Sequence, residues 1–148
     1  MTFIDANLLV LYVVGSANIG YIVEHKRLRH FRPADHVLLK KMLRPASRTA
    51  VTPGILTEAS NLASQIPNPA QARIRLAMRV LVFETREIHV ISQAAVRQDD
   101  FVKLGLTDAA LLCLMAEGHQ LITADHDLHA AAMRLGYSSR NFHHYRGL

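Results

Sequence analysis

Short apolar segments of strand character alternate with longer segments of helical period along almost the whole chain, and this alternation restricts the fold more than any other feature. Thr2, Phe3 and Ile4 read as a strand, followed by a helix over 6–14 that is apolar on nearly every side, as deep burial demands, and that ends at Gly15-Ser16. Helical patterns over 19–30 and 34–43 come next, separated by the Arg32-Pro33 break. A second strand is expected over 48–52, with Thr52 as N-cap and Pro53 opening a helix that runs to about Gln65. Pro67-Asn68-Pro69 then punctuates the chain before an amphipathic helix over 70–83, in which Ile74, Ala77, Met78 and Leu81 recur at helical spacing. The remainder reads as a strand over 87–91 and a short helix over 92–99 capped by Ser92. A helix over 107–117 stopped by Gly118 and a strand over Gln120–Thr123 follow. A helix over 127–135 stopped by Gly136 and a last strand over 141–145 complete the pattern. Strands separated by helices in this way predict an α/β fold whose mostly parallel sheet is covered on both faces.

The length of 148 residues suits a single domain over 1–148, and a chain half hydrophobic can fill one sizeable core. The single cysteine, Cys113, lies within an apolar run, so no intramolecular disulfide is available and a buried thiol in a reducing compartment is expected. The first apolar run has no basic region ahead of it and is interrupted by Asp5 and Asn7, a poor secretion signal. No apolar stretch reaches the roughly eighteen residues of a membrane span. A soluble, cytoplasmic protein is therefore expected, with no membrane partner.

Four carboxylates stand where acids are costly: Asp5 after Phe3-Ile4, Glu58 between Leu56 and Leu62, Asp108 ahead of Leu111-Leu112, and Asp125 after the fourth strand. Asp5 and Asp125 are also suitable helix N-caps, and Asp108 suits the first turn of its helix. Glu58 is different, because it falls on the apolar stripe of Ile55, Ala59, Leu62 and Ile66, where a cap cannot account for it. An ion pair with Arg73 or Arg75 is one explanation. A shared cation is the other, and it accounts for all four at once. In parallel α/β sheets ligands bind beyond the carboxyl ends of the strands where the strand order reverses, and Asp5 and Asp125 each follow a strand. With no thiolate or histidine cluster of zinc spacing, an oxygen-liganded ion such as Mg²⁺ is favoured, able to activate water on a phosphodiester.

In context, the segments Phe3-Ile4-Asp5-Ala6-Asn7, Leu56-Thr57-Glu58, Gly105-Leu106-Thr107-Asp108-Ala109 and Thr123-Ala124-Asp125-His126-Asp127 resemble the PIN-domain family over nearly the whole chain. The resemblance implies a three-layer α/β/α sandwich and a Mg²⁺- or Mn²⁺-dependent endoribonuclease, of the kind that includes VapC-type toxins of toxin-antitoxin pairs. It implies further that Asp5, Glu58, Asp108 and Asp125 form the catalytic metal site, that Asp127 is a fifth acid beside it, and that Asn7 and Thr123 orient the ligands. RNA is then the substrate, an antitoxin protein a partner, and a homodimer the expected assembly, with the 6–14 helix and the helices up to Leu43 as its surface. The alternatives are a catalytically inactive PIN fold that binds RNA or protein, a housekeeping RNA-processing nuclease, and a phosphohydrolase acting through Asp5.

Charge is compatible with a polyanion ligand. Setting aside Asp5, Glu58, Asp108, Asp125 and Asp127 leaves 7 of the 12 acids against 17 Lys and Arg, on a chain of formal charge +5. Two basic stretches stand out. His25-Lys26-Arg27-Leu28-Arg29-His30-Phe31-Arg32 reads either as an RNA contact or as a solvated helix face. Arg140-Asn141-Phe142-His143-His144-Tyr145-Arg146 reads either as an RNA-facing edge or as an ordinary edge strand with Phe142 and His144 on one face.

Overall fold

The computed structural model describes residues 1–147 and is a three-layer α/β/α sandwich around a five-stranded parallel sheet. The strands are β1 (Thr2–Ile4), β2 (Thr49–Val51), β3 (Arg86–Glu87), β4 (Gln120–Thr123) and β5 (Ser139–Asn141), and their order in the sheet is β3-β2-β1-β4-β5. The chain thus builds outward from β1 to one edge and then returns to build the other. The reversal falls between β1 and β4, which pair Thr2 with Gln120 and Ile4 with Ile122. Phe3, Ile4, Ala50, Val51, Leu121 and Ile122 are all buried, as strands covered on both faces require.

The helices of the first half are α1 (Ala6–Ala17), α2 (Tyr21–Glu24), α3 (Pro33–Met42), α4 (Pro53–Ala63) and α5 (Ala70–Glu84). Of these, α1 packs against α3, α4 and α5. Its Leu8, Leu9, Val10, Leu11, Val13 and Val14 are all buried, each side chain contributing about 1.5–3 kcal/mol. Gly15 lets α3 approach: a methyl group there would lie 2.2 Å from Cδ2 of His36. The second half supplies α6 (Ser92–Val96), α7 (Phe101–Leu104), α8 (Leu106–Ala116) and α9 (His126–Arg134), with α8 in contact with α6, α7 and α9. Gly118 and Gly136 follow α8 and α9 with φ of +96° and +79°, the left-handed geometry that ends helices without a Cβ clash.

Several expectations are corrected. The pattern over 19–30 is not one helix, because His25 turns extended and its ring Nδ1 accepts from the Arg27 backbone, starting a 3₁₀ turn over Lys26–Leu28. The third strand is only two residues long, with Ile88 adding one further backbone bond to Val51. Ser92 does not cap α6; Ile91 occupies the cap position and the helix ends at Val96. The last strand is displaced to Ser139–Asn141, and Phe142–His144 forms a 3₁₀ turn because the Asn141 side chain accepts from the His143 backbone at 3.0 Å. Phe142 is buried while His143 and His144 are exposed, so the two-faced edge strand does not form. Cys113 is only partly buried, with its sulfur against Gln98 and the Ala94 carbonyl. The 6–14 helix is mostly buried, with Asn7 exposed and Tyr12 half-buried; large exposed apolar side chains lie on α5, at Leu76, Val80 and Phe83.

Candidate metal centre

At the carboxyl end of β1 the chain leaves Ile4 and Asp5 caps α1, its Oδ1 accepting from the Leu8 backbone at 2.9 Å. The neighbouring strand β4 ends at Thr123, whose hydroxyl donates to Oδ2 of Asp5, and the next backbone amide, Ala124, donates to the same oxygen at 3.0 Å. Thr123 Oγ1 also accepts from the Asp125 backbone at 2.9 Å. Asp125 in turn caps α9 through Oδ1 and the Leu128 amide at 3.0 Å. The capping roles read from the sequence are therefore both present. They do not compete with a site, because they fix the two carboxylates at the reversal point of the sheet, where parallel α/β folds hold ligands.

Asp108 reaches the same place from the first turn of α8. Burial pushes its carboxyl up to about 7, and the charges of Asp125, Asp5 and Glu58 push it in the same direction. Asp5 itself is buried, which raises its carboxyl above the ordinary range; the bonds from Thr123, Leu8 and Ala124 lower it and the charge of Asp125 raises it. Thr123 thus ties the Asp5 and Asp125 turns together, and the charges of Asp5, Asp125 and Glu58 all act on Asp108.

Glu58 does not sit where the sequence pattern puts it. The buried line of α4 is Ile55, Ala59 and Ala63, and Glu58 stands exposed beside it instead of within the apolar stripe. The ion-pair explanation is not met: Arg73 donates to the Tyr21 hydroxyl and Arg75 to Ser64 Oγ, each at 3.0 Å. Asp127 is exposed and faces Lys103 at 3.9 Å, and it is not among the charges that raise Asp108. Asn7 is exposed and takes no part in the bonds that hold Asp5, whereas Thr123 is fully buried and does. The sequence offered no signal for the Ala124 amide, since a backbone donor carries no residue signature, nor for Lys103. A cavity of about 180 Å³ lies between the starts of α4 and α8, lined by Thr52, Gly54, His89 and Thr107 among others, and none of the four acids belongs to its wall.

All four groups are carboxylates, none forms an ion pair among the described residues, and a divalent ion would relieve the repulsion that raises Asp108. These residues fit Mg²⁺ or Mn²⁺ in kind. Among the described residues no three His, Cys, Asp or Glu side chains stand in metal-holding geometry, and Glu58 is exposed. No helix of the described residues is long and apolar enough to cross a membrane. No family model, curated protein or solved structure matches the chain, so the fold and the cluster rest on its own residues.

Proposed function

We propose that the chain is a PIN-like, metal-dependent endoribonuclease. The observation that carries this reading is the pair Asp5 and Asp125, held through Thr123 at the carboxyl ends of the two strands flanking the reversal point, with Asp108 under the charge of both and of Glu58 and none of the four in an ion pair among the described residues. These four would hold Mg²⁺ or Mn²⁺, with Asp127 at the margin. A bound ion would activate a water against an RNA phosphodiester and stabilise the leaving oxygen. The chain's own contribution is positional. Thr123 and the Ala124 amide fix the Asp5 carboxylate, leaving it one orientation. Asp108, raised to about 7 without metal, must lose its proton to act as a ligand, so metal binding near neutral pH should release a proton and weaken as pH falls. Lys26, Arg27 and Arg29 are exposed and available to RNA phosphates.

In the same reading the chain is the toxin of a toxin-antitoxin pair, cytoplasmic, acting as a homodimer, and restrained by an antitoxin that places an Arg against the carboxylates. The test is cleavage of labelled RNA with and without Mn²⁺. Wild type should cleave only with metal, and Asp5→Asn and Asp108→Asn should each lose at least about a hundredfold. Equal cleavage by both variants removes the assignment. Binding of RNA without cleavage by wild type would favour the inactive PIN module instead. Growth arrest on induced expression, relieved by Asp5→Asn, separates a toxin from a housekeeping nuclease.

A further inference from the structure

The opposite end of the sheet carries a cavity of about 360 Å³. It lies at the amino ends of β1, β2 and β4, where Thr2, Thr49 and Gln120 line it together with Arg44, Arg48 and Arg140. No Asp, Glu or Lys belongs to its wall. Among the described residues no carboxylate pairs with any of the three guanidinium groups, since the ion pairs of the chain use Lys103, His119, Arg134 and Arg146. Arginine stays charged at all working pH values, so three such groups around one concavity repel one another until an anion enters. Their planar forks match phosphate oxygens, which accept two parallel hydrogen bonds from each.

We propose that this cavity binds the di- or triphosphate group of a small ligand, either a free polyphosphate or a nucleoside polyphosphate. Its size falls within the roughly 300–1,000 Å³ of small-molecule sites. A single strand of RNA is a poorer occupant, because strand-tracking grooves interleave aromatic side chains with the basic ones and no aromatic residue lines this wall. The site is separate from the carboxylates, which gather at the far ends of the same strands β1 and β4 and would repel an anion in the absence of metal.

Calorimetric titration in EDTA, at fixed ionic strength, tests this with inorganic tripolyphosphate, ADP and GTP as probes. Wild type should bind, Arg48→Gln should bind about tenfold more weakly, and the pair Arg44→Gln with Arg140→Gln should lose still more. Arg48→Lys, which keeps charge without the fork, should fall between wild type and Arg48→Gln, and it decides the matter if the double variant does not fold. Asp108→Asn should bind as wild type does, so failure of the nuclease reading leaves this result untouched. Tighter binding of ADP or GTP than of tripolyphosphate identifies a nucleotide ligand, and equal binding a free polyphosphate. Absence of heat with all three at millimolar concentration overturns the proposal. So does unchanged affinity in the Arg variants, loss of affinity in Asp108→Asn, or binding confined to an RNA oligonucleotide.

Discussion

The hydroxyl of Thr123 donates to the carboxylate of Asp5, joining the ends of two adjacent parallel strands across 118 positions of sequence. The Thr123 side chain is fully buried, and its oxygen also accepts from the Asp125 amide at 2.9 Å. One hydroxyl therefore sets the position of two carboxylate-bearing turns. Asp5 depends on it because burial disfavours its charged form, and the bond from Thr123 is the largest influence opposing that.

Thr123→Val tests this directly. Valine keeps the shape and removes the donor, so Asp5 Oδ2 retains only the Ala124 amide, and the Asp125 amide loses its acceptor. A loss of about 1–3 kcal/mol in denaturant unfolding is expected, the range for leaving buried polar groups unsatisfied. A variant as stable as wild type would mean that water or a neighbouring group takes over both bonds.

Asp108 makes the stability of the metal-free protein depend on pH. Between its ordinary value of 3.8 and about 7, the unfolded chain has released this proton and the folded chain has kept it. The folded state then binds more protons, so raising pH through that window lowers stability. Below the window both forms are protonated, and above it both are ionised with the full penalty present. Asp108→Asn carries no charge to penalise. In EDTA its unfolding midpoint should lie close to wild type at about pH 4 and exceed it by a growing margin up to about pH 7. A margin that is constant over this range would place Asp108 outside the acidic cluster.

Arg146 closes the described chain onto the segment before α3. Its guanidinium meets both oxygens of Asp35 at 3.0 Å, donates to the His30 carbonyl at 2.6 Å and lies 5.3 Å from the centre of the Phe31 ring. Asp35 is buried, and its Oδ2 also accepts from the Arg32 amide at 2.8 Å. Arg146→Ala strands that carboxylate and should cost about 3 kcal/mol, the lower end for breaking a buried pair from one side. Differential scanning calorimetry of the variant measures it; a change within about 0.5 kcal/mol, as for an ordinary surface position, would show that the pair is solvent-screened.

How much of this was legible follows from which interactions are local. Thr52, Asp5 and Asp125 were readable as caps because a cap bonds an amide only three residues on, as at Ile55, Leu8 and Leu128. Strand ends depend on partners elsewhere. β3 stops at Glu87 because β2, its only neighbour in the sheet, ends at Val51, and nothing in residues 87–91 encodes that limit. His25 shows the same dependence: its ring Nε2 meets the Ala63 carbonyl at 2.9 Å, a contact 38 residues distant, and the expected helix breaks there.

The acids divide along the same line. The sequence by itself determined the alternation of strand and helix, the parallel sheet, and the placement of Asp5 and Asp125 just beyond strands, because periodicity and capping act over a few residues. Only the tertiary structure decided that β1 and β4 are neighbours, that Glu58 stands on an exposed flank of α4, that Asp127 turns to Lys103, and that Arg44, Arg48 and Arg140 share a cavity. Each of those facts depends on strand order and packing between segments far apart in the chain, and burial and charge proximity exist only once those segments have met.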